Sequence, residues 1–103
     1  MASTVESDFQ QALLNSAADA RKIGYNPTRF NQMVAQLGGV ATARRLLSTG
    51  DSTSGFAELY THGRLDLSLE ALVLKTPYYT LFTEEEIAVA RQRLIDAGYL
   101  KGY

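Results

Sequence analysis

Hydrophobic residues recur at helical intervals along most of the chain, and the rhythm breaks at glycine and proline. Val5, Phe9, Leu13, Ala17 and Ala20 fall on one side of a first helix, with Leu14 and Ala18 widening the stripe. Ser3 precedes Glu6, and Ser7 precedes Gln10, at capping-box spacing, so two overlapping starts are available; Gly24 supplies the stop. Asn26-Pro27 marks the next start. Asparagine can cap free backbone N–H groups, and proline, with no N–H to lose, suits the first helical position. Phe30, Met33, Val34 and Leu37 follow with helical spacing until Gly38-Gly39 ends the run. A third helix over about 40–48 then presents Val40, Ala43, Leu46 and Leu47 to the core.

The polar, glycine-flanked stretch 49–55 reads as a loop and as the place for mobility. Phe56, Leu59 and Tyr60 predict a short helix that Gly63 stops. The next segment is two-sided. Leu65, Leu67, Leu69, Ala71 and Val73 alternate as in a strand, while Ser68 to Leu72 is rich in helix formers behind a good N-cap. A short buried helix from about Ser68 is the favoured reading, because a lone strand would leave its backbone groups unpaired. Thr76-Pro77 opens a brief helical turn through Leu81, and Thr83 with Glu86 forms a capping box for the best-specified helix. In that helix Ile87, Ala90, Leu94 and Ile95 face inward, Arg91 and Arg93 face water, and Gly98 ends it.

The pattern therefore predicts an all-α, compact single-domain bundle over residues 1–103, built of five to six short helices. It contains a helix-turn-helix-like pair at about 27–48, and its ends, 1–4 and 100–103, are read as disordered. The expected core is Phe9, Leu13, Phe30, Val34, Leu37, Leu47, Phe56, Leu59, Leu69, Leu72, Val73, Leu81, Ile87 and Leu94.

Composition agrees with one hydrophobic core: 103 residues, 46% of them hydrophobic, is the size and make-up of a single globular domain. The chain has no cysteine, which removes disulfides, thiolate metal sites and a cysteine nucleophile. It shows no basic, apolar-cored leader and no run approaching the ~20 apolar residues of a membrane span, so the expected location is cytoplasmic. Charge changes the picture more. The formal net charge of -1 hides an acid-free third between Ala20 and Gly50, where Arg21, Lys22, Arg29, Arg44 and Arg45 stand together.

Candidate chemistry is sparse. Catalysis through a histidine would have to use His62, the single histidine, with a nearby hydroxyl or with Arg64 and Asp66. Glu58, His62 and Asp66 are four apart and would share one helix face as metal ligands, but Gly63 ends the helix first, so no metal and no cofactor is expected. Glu84, Glu85 and Glu86 read as a solvated helix start, since adjacent helical residues do not converge on one atom. No phosphate-binding glycine pattern is present.

Two surfaces suit a macromolecular partner. Arg21, Lys22, Arg29, Arg44 and Arg45 lie in or beside the helix-turn-helix-like pair and could contact a DNA or RNA backbone, although Val40 to Ala43 offers few side chains to base edges. Tyr78, Tyr79 and Tyr103 form the second candidate, a surface for a protein partner or another copy of the chain.

Tyr25-Asn26-Pro27-Thr28-Arg29-Phe30, Gly38-Gly39-Val40, Gly55-Phe56, the run Gly63 to Leu74 and Leu81-Phe82-Thr83 together resemble a small all-helical module of uncharacterised bacterial proteins, over about residues 25–99. The resemblance implies a bacterial or phage setting and an accessory role beside nuclease- or defence-like domains, and it transfers no catalytic residue. The expectation is a non-enzymatic macromolecule-binding module touching nucleic acid through a basic face, with a protein-interaction or oligomerisation domain as the alternative and a small His62 enzyme last.

Overall fold

The inward stripe of the first helix decides where the rest of the chain packs. In the computed structural model, which describes residues 4–49 and 54–101, α1 spans Thr4–Lys22 and buries Phe9, Leu13, Ala17 and Ala20. Leu14 does not widen that stripe: set about 100° round from Leu13, it remains 37% exposed. After a turn at Gly24, α2 (Thr28–Leu37) and α3 (Gly39–Leu47) form the predicted helix-turn-helix-like pair. Its entry differs from expectation. Pro27 occupies the N-cap rather than the first helical position, no side chain caps α2, and the Thr28 N–H instead donates to the Asn26 carbonyl at 2.9 Å.

Gly38 and Gly39 have separate jobs. Gly38 takes φ +85°, a left-handed conformation open to glycine, and this lets α3 start at once. Gly39 is buried against α1: a Cβ there would lie 2.9 Å from the Gln10 Cα. The Gly39 N–H donates to Gln10 Oε1 at 3.0 Å, so a side chain distant in sequence caps α3. Leu37, expected in the core, is the last residue of α2 and stays 42% exposed at this turn.

α4 (Ser54–Thr61) leads into a 3-10 turn at Leu65–Leu67 and then α5, Leu69–Val73. The two-sided segment is thus helical. Its strand-like alternation comes from the tight turn, in which Leu65 is buried and Asp66 exposed. Ser68 caps α5 by accepting from the Ala71 N–H at 3.2 Å and donates to the Leu65 carbonyl at 2.7 Å. A second 3-10 turn, Tyr78–Leu81, precedes α6, Glu84–Asp96, which carries the complete capping box between Thr83 and Glu86.

All five residues of α5 are buried, and the four apolar ones divide between two packed clusters. Leu69, Leu72 and Val73 join Phe9, Leu13, Val34, Ala43 and Leu47 in the larger one, where the rings of Tyr78 and Phe82 meet Phe9 edge-on at 5.5 and 5.3 Å. Ala71 joins Phe56, Leu59, Leu65 and Leu94 in the smaller. Phe30, Leu81 and Ile87 pack half-buried against the larger cluster rather than within it.

Arg93 reverses an expectation outright. It is 8% exposed, and its guanidinium donates to Glu70 Oε2 on α5 at 2.9 Å and to the carbonyl and hydroxyl oxygens of Thr49 at 2.9 and 3.2 Å. α6 offers Ala90 and Leu94 to the core, and Arg93, about 60° round the helix from Ala90, meets a buried carboxylate instead of water. Much of the loop expected over 49–55, the residues 1–3 and the residues 102–103 lie outside the described residues.

Candidate binding surface

The acid-free third does not fold into one continuous basic face. Lys22 pairs with Asp19 at 3.6 Å along the last turn of α1, both side chains being mostly exposed. Arg44 is engaged more deeply: it donates to the Leu81 carbonyl at 2.9 Å and lies 3.5 Å from the Glu86 carboxylate, docking α3 onto the second 3-10 turn and the start of α6. Arg44 also borders a polar groove of about 570 Å³ between the first half of α1 and the α2–α3 turn, lined by Glu6, Ser7 and Gln10. Arg21 lies eleven residues beyond Gln10 on α1, about 17 Å along the axis at 1.5 Å per residue. Arg44 therefore stands beside the opposite half of α1 from Arg21.

Arg21, Arg29 and Arg45 are left. All three are exposed, and none makes an ion pair or side-chain hydrogen bond with a described residue. A partly open cavity of about 60 Å³ lies between the helices, walled among others by Leu13, Ala17, Phe30 and Leu46; none of the three arginines lines it. Phe56 and Leu59 of α4 close its far side, and Glu70 is its one charged lining residue. Three of the five predicted basic residues thus remain exposed and unengaged on α1, α2 and α3, while Lys22 and Arg44 hold partners.

The tyrosine surface divides as well. Tyr78 is half-buried with its ring against Phe9, Tyr79 is 44% exposed, and Tyr103 lies outside the described residues.

The residues weighed for catalysis pair off in a way that leaves no shared centre. His62 Nε2 is 3.9 Å from Glu58 Oε2, one helical turn back on α4. Arg64 instead holds Asp66 through two hydrogen bonds of 3.0 and 3.1 Å, and these keep the Asp66 carboxyl below its ordinary range. Partial burial, helped by the negative charge of Glu58, raises the Tyr25 hydroxyl above its usual value, so it stays protonated across physiological pH. Among the described residues no group of three His, Cys, Asp or Glu side chains is placed to hold a metal ion, and no helix is long and apolar enough to cross a membrane.

Sequence reasoning missed the Glu70–Arg93 pair and the cavity beside it. A signal was present: Glu70 is the one carboxylate inside the run Leu67 to Leu74, and a charge there requires a buried partner if that run is core. The cavity had no comparable signal, since its walls come from five helices, α1 to α5, spread along the sequence. Comparison with protein-family models, curated proteins and solved structures finds no match to the chain.

Proposed function

We propose that this chain is a non-enzymatic module that binds an anionic macromolecule through Arg21, Arg29 and Arg45. The observation that carries the reading is that these three guanidinium groups are exposed and make no ion pair or side-chain hydrogen bond with a described residue. Surface arginines free of intramolecular partners keep all their donors for carboxylate or phosphate oxygens, which the planar guanidinium can engage two at a time. Lys22 and Arg44 contribute less, the first through its pair with Asp19 and the second through its role in holding α3 to α6.

Nucleic acid is the form of this reading suggested by the helix-turn-helix outline. Binding of labelled DNA, RNA and polyglutamate, followed by fluorescence anisotropy over a salt series, tests the reading as a whole. Binding should weaken steeply with salt, and Arg29→Glu with Arg45→Glu should weaken it by about tenfold or more. Retained affinity in that double variant, or no binding to any of the three polyanions, refutes a basic binding face. A second reading, self-association, draws on the exposed Tyr79, Leu14 and Leu37; sedimentation of a homogeneous monomer at high concentration would count against it.

A further inference from the structure

We propose that the cavity among α1 to α5 is a binding site for a short-chain aliphatic alcohol, whose hydroxyl donates to the Glu70 carboxylate while its hydrocarbon body lies against the apolar walls. This site is separate from the basic face, since Arg21, Arg29 and Arg45 do not line it.

The walls and the volume set the body of the ligand. Leu13, Ala17, Phe30, Leu46, Phe56 and Leu59 offer carbon surface, so a hydrocarbon chain entering there leaves water for an apolar lining. The cavity measures about 60 Å³, and at ~10–15 Å³ for each water-sized group it holds about four to six non-hydrogen atoms. A hydroxyl on a chain of about three to five carbons meets that limit. A benzene ring needs a cavity of ~150 Å³, so aromatic molecules are too large. Entry is from the side of Ser16, Tyr25 and Gly55, lining residues that are half-buried, whereas Ser68, Leu69 and Glu70 are buried.

Glu70 selects the head group. It is 1% exposed and lines the cavity; its Oε2 accepts from Arg93 at 2.9 Å, while its Oε1 receives no hydrogen bond from a described residue. Among the described residues, the polar side-chain atoms both fully covered and without a partner are Asn31 Oδ1 and Thr42 Oγ1. Glu70 Oε1 is not one of them, so it keeps contact with open space, and the space that Glu70 lines is this cavity. A hydroxyl placed there meets an ionised acceptor, the stronger kind of O–H···O bond. The neighbouring Ser68 hydroxyl is already used, donating to the Leu65 carbonyl and accepting from the Ala71 N–H. Charge excludes the alternatives. Arg93 already balances Glu70, so an ammonium group would bury a net positive charge, and a carboxylate would face Glu70 with no cation left to offset it.

The test titrates the isotope-labelled full chain with ethanol, n-propanol, n-butanol, n-hexanol and benzyl alcohol, followed by two-dimensional amide NMR. Butylammonium, butyrate and methyl propyl ether, an isomer of butanol without a donor, serve as head-group controls. Saturable shifts should gather on the amides of Ser16, Ala17 and Glu70. Affinity should rise about fourfold for each methylene from ethanol to butanol and fall for hexanol and benzyl alcohol. Butanol should bind about tenfold more tightly than the ether or either charged control. Ala17→Leu and, separately, Ser16→Leu fill the cavity from α1 and should abolish saturation, with circular dichroism establishing that each folds. Glu70→Leu combined with Arg93→Met should keep the dependence on chain length and lose the preference for butanol over the ether. Shifts that never saturate, affinity still rising at hexanol, a control that matches butanol, or undiminished binding in a folded cavity-filling variant overturns the proposal. Polyanion binding, read from the Arg29 and Arg45 variants, is unaffected by any of these outcomes.

Discussion

Replacing Arg93 with methionine tests the buried ion pair directly, because methionine keeps much of the unbranched stem while removing the charge. In the folded protein Glu70 is 1% exposed and Arg93 8%. The substitution strands a carboxylate away from water and also removes two hydrogen bonds to Thr49. Breaking a buried pair from one side costs about 3–5 kcal/mol, most of it the uncompensated charge. A domain of this length is stable by roughly 5–15 kcal/mol, so Arg93→Met should consume a large part of the total. At about 4–8 °C per kcal/mol for domains near this size, the midpoint of thermal unfolding should fall by roughly 15–30 °C. Adding Glu70→Leu to Arg93→Met removes the stranded charge, and most of the loss should return. What remains is the lost hydrogen bonding from Arg93 to Thr49, an exposed residue, at about 1 kcal/mol. Urea unfolding followed by far-ultraviolet circular dichroism measures both, provided the slope with denaturant stays constant. The reasoning fails if Arg93→Met stays within about 1 kcal/mol of the parent, or if the double variant is less stable than Arg93→Met alone.

The contact between α1 and α3 makes a sharper steric prediction. Gly39→Ala places a methyl group 2.9 Å from a backbone atom of Gln10 that cannot rotate away, so the helices must separate, at about 1–3 kcal/mol in urea unfolding; an unchanged midpoint would contradict the close approach. Asp66 gives a pH-dependent one. Its folded carboxyl titrates below its unfolded value because Arg64 hydrogen-bonds to it. The stabilisation is therefore present above the unfolded pKa of ~3.9 and disappears as pH falls through the lower folded value. Asp66→Asn should flatten stability against pH in that acid window, and the difference should be small because both side chains are nearly half exposed. An unaltered acid profile in Asp66→Asn would show that the pair adds nothing.

Local signals carried the fold further than the site. Helix ends were readable because capping is a short-range matter: Thr83 with Glu86, Ser68 before α5 and the glycine at Gly38 each act within a few residues. Periodicity placed Phe9, Leu13, Val34 and Leu94 inside for the same reason. Leu14, Leu37 and Arg93 departed from it because their surroundings are set by other helices: Leu14 and Leu37 meet none that covers them, and Arg93 meets Glu70. The basic residues show the same limit at the surface. Composition grouped five of them, but Asp19 and Glu86 engage Lys22 and Arg44, and only the folded structure shows which three stay unengaged.

Because Gln10 caps Gly39, α1 supplies part of what fixes the beginning of α3. The helical pair is then not a portable unit: a fragment spanning α2 and α3 would lack the group that closes the first turn of α3 and the surface that Gly39 was left bare to meet. Removing α1 should therefore also loosen the α2–α3 pair on which Arg29 and Arg45 stand. Recognition and folding would in that case be lost together, by a cut at the opposite end of the sequence from the last helix.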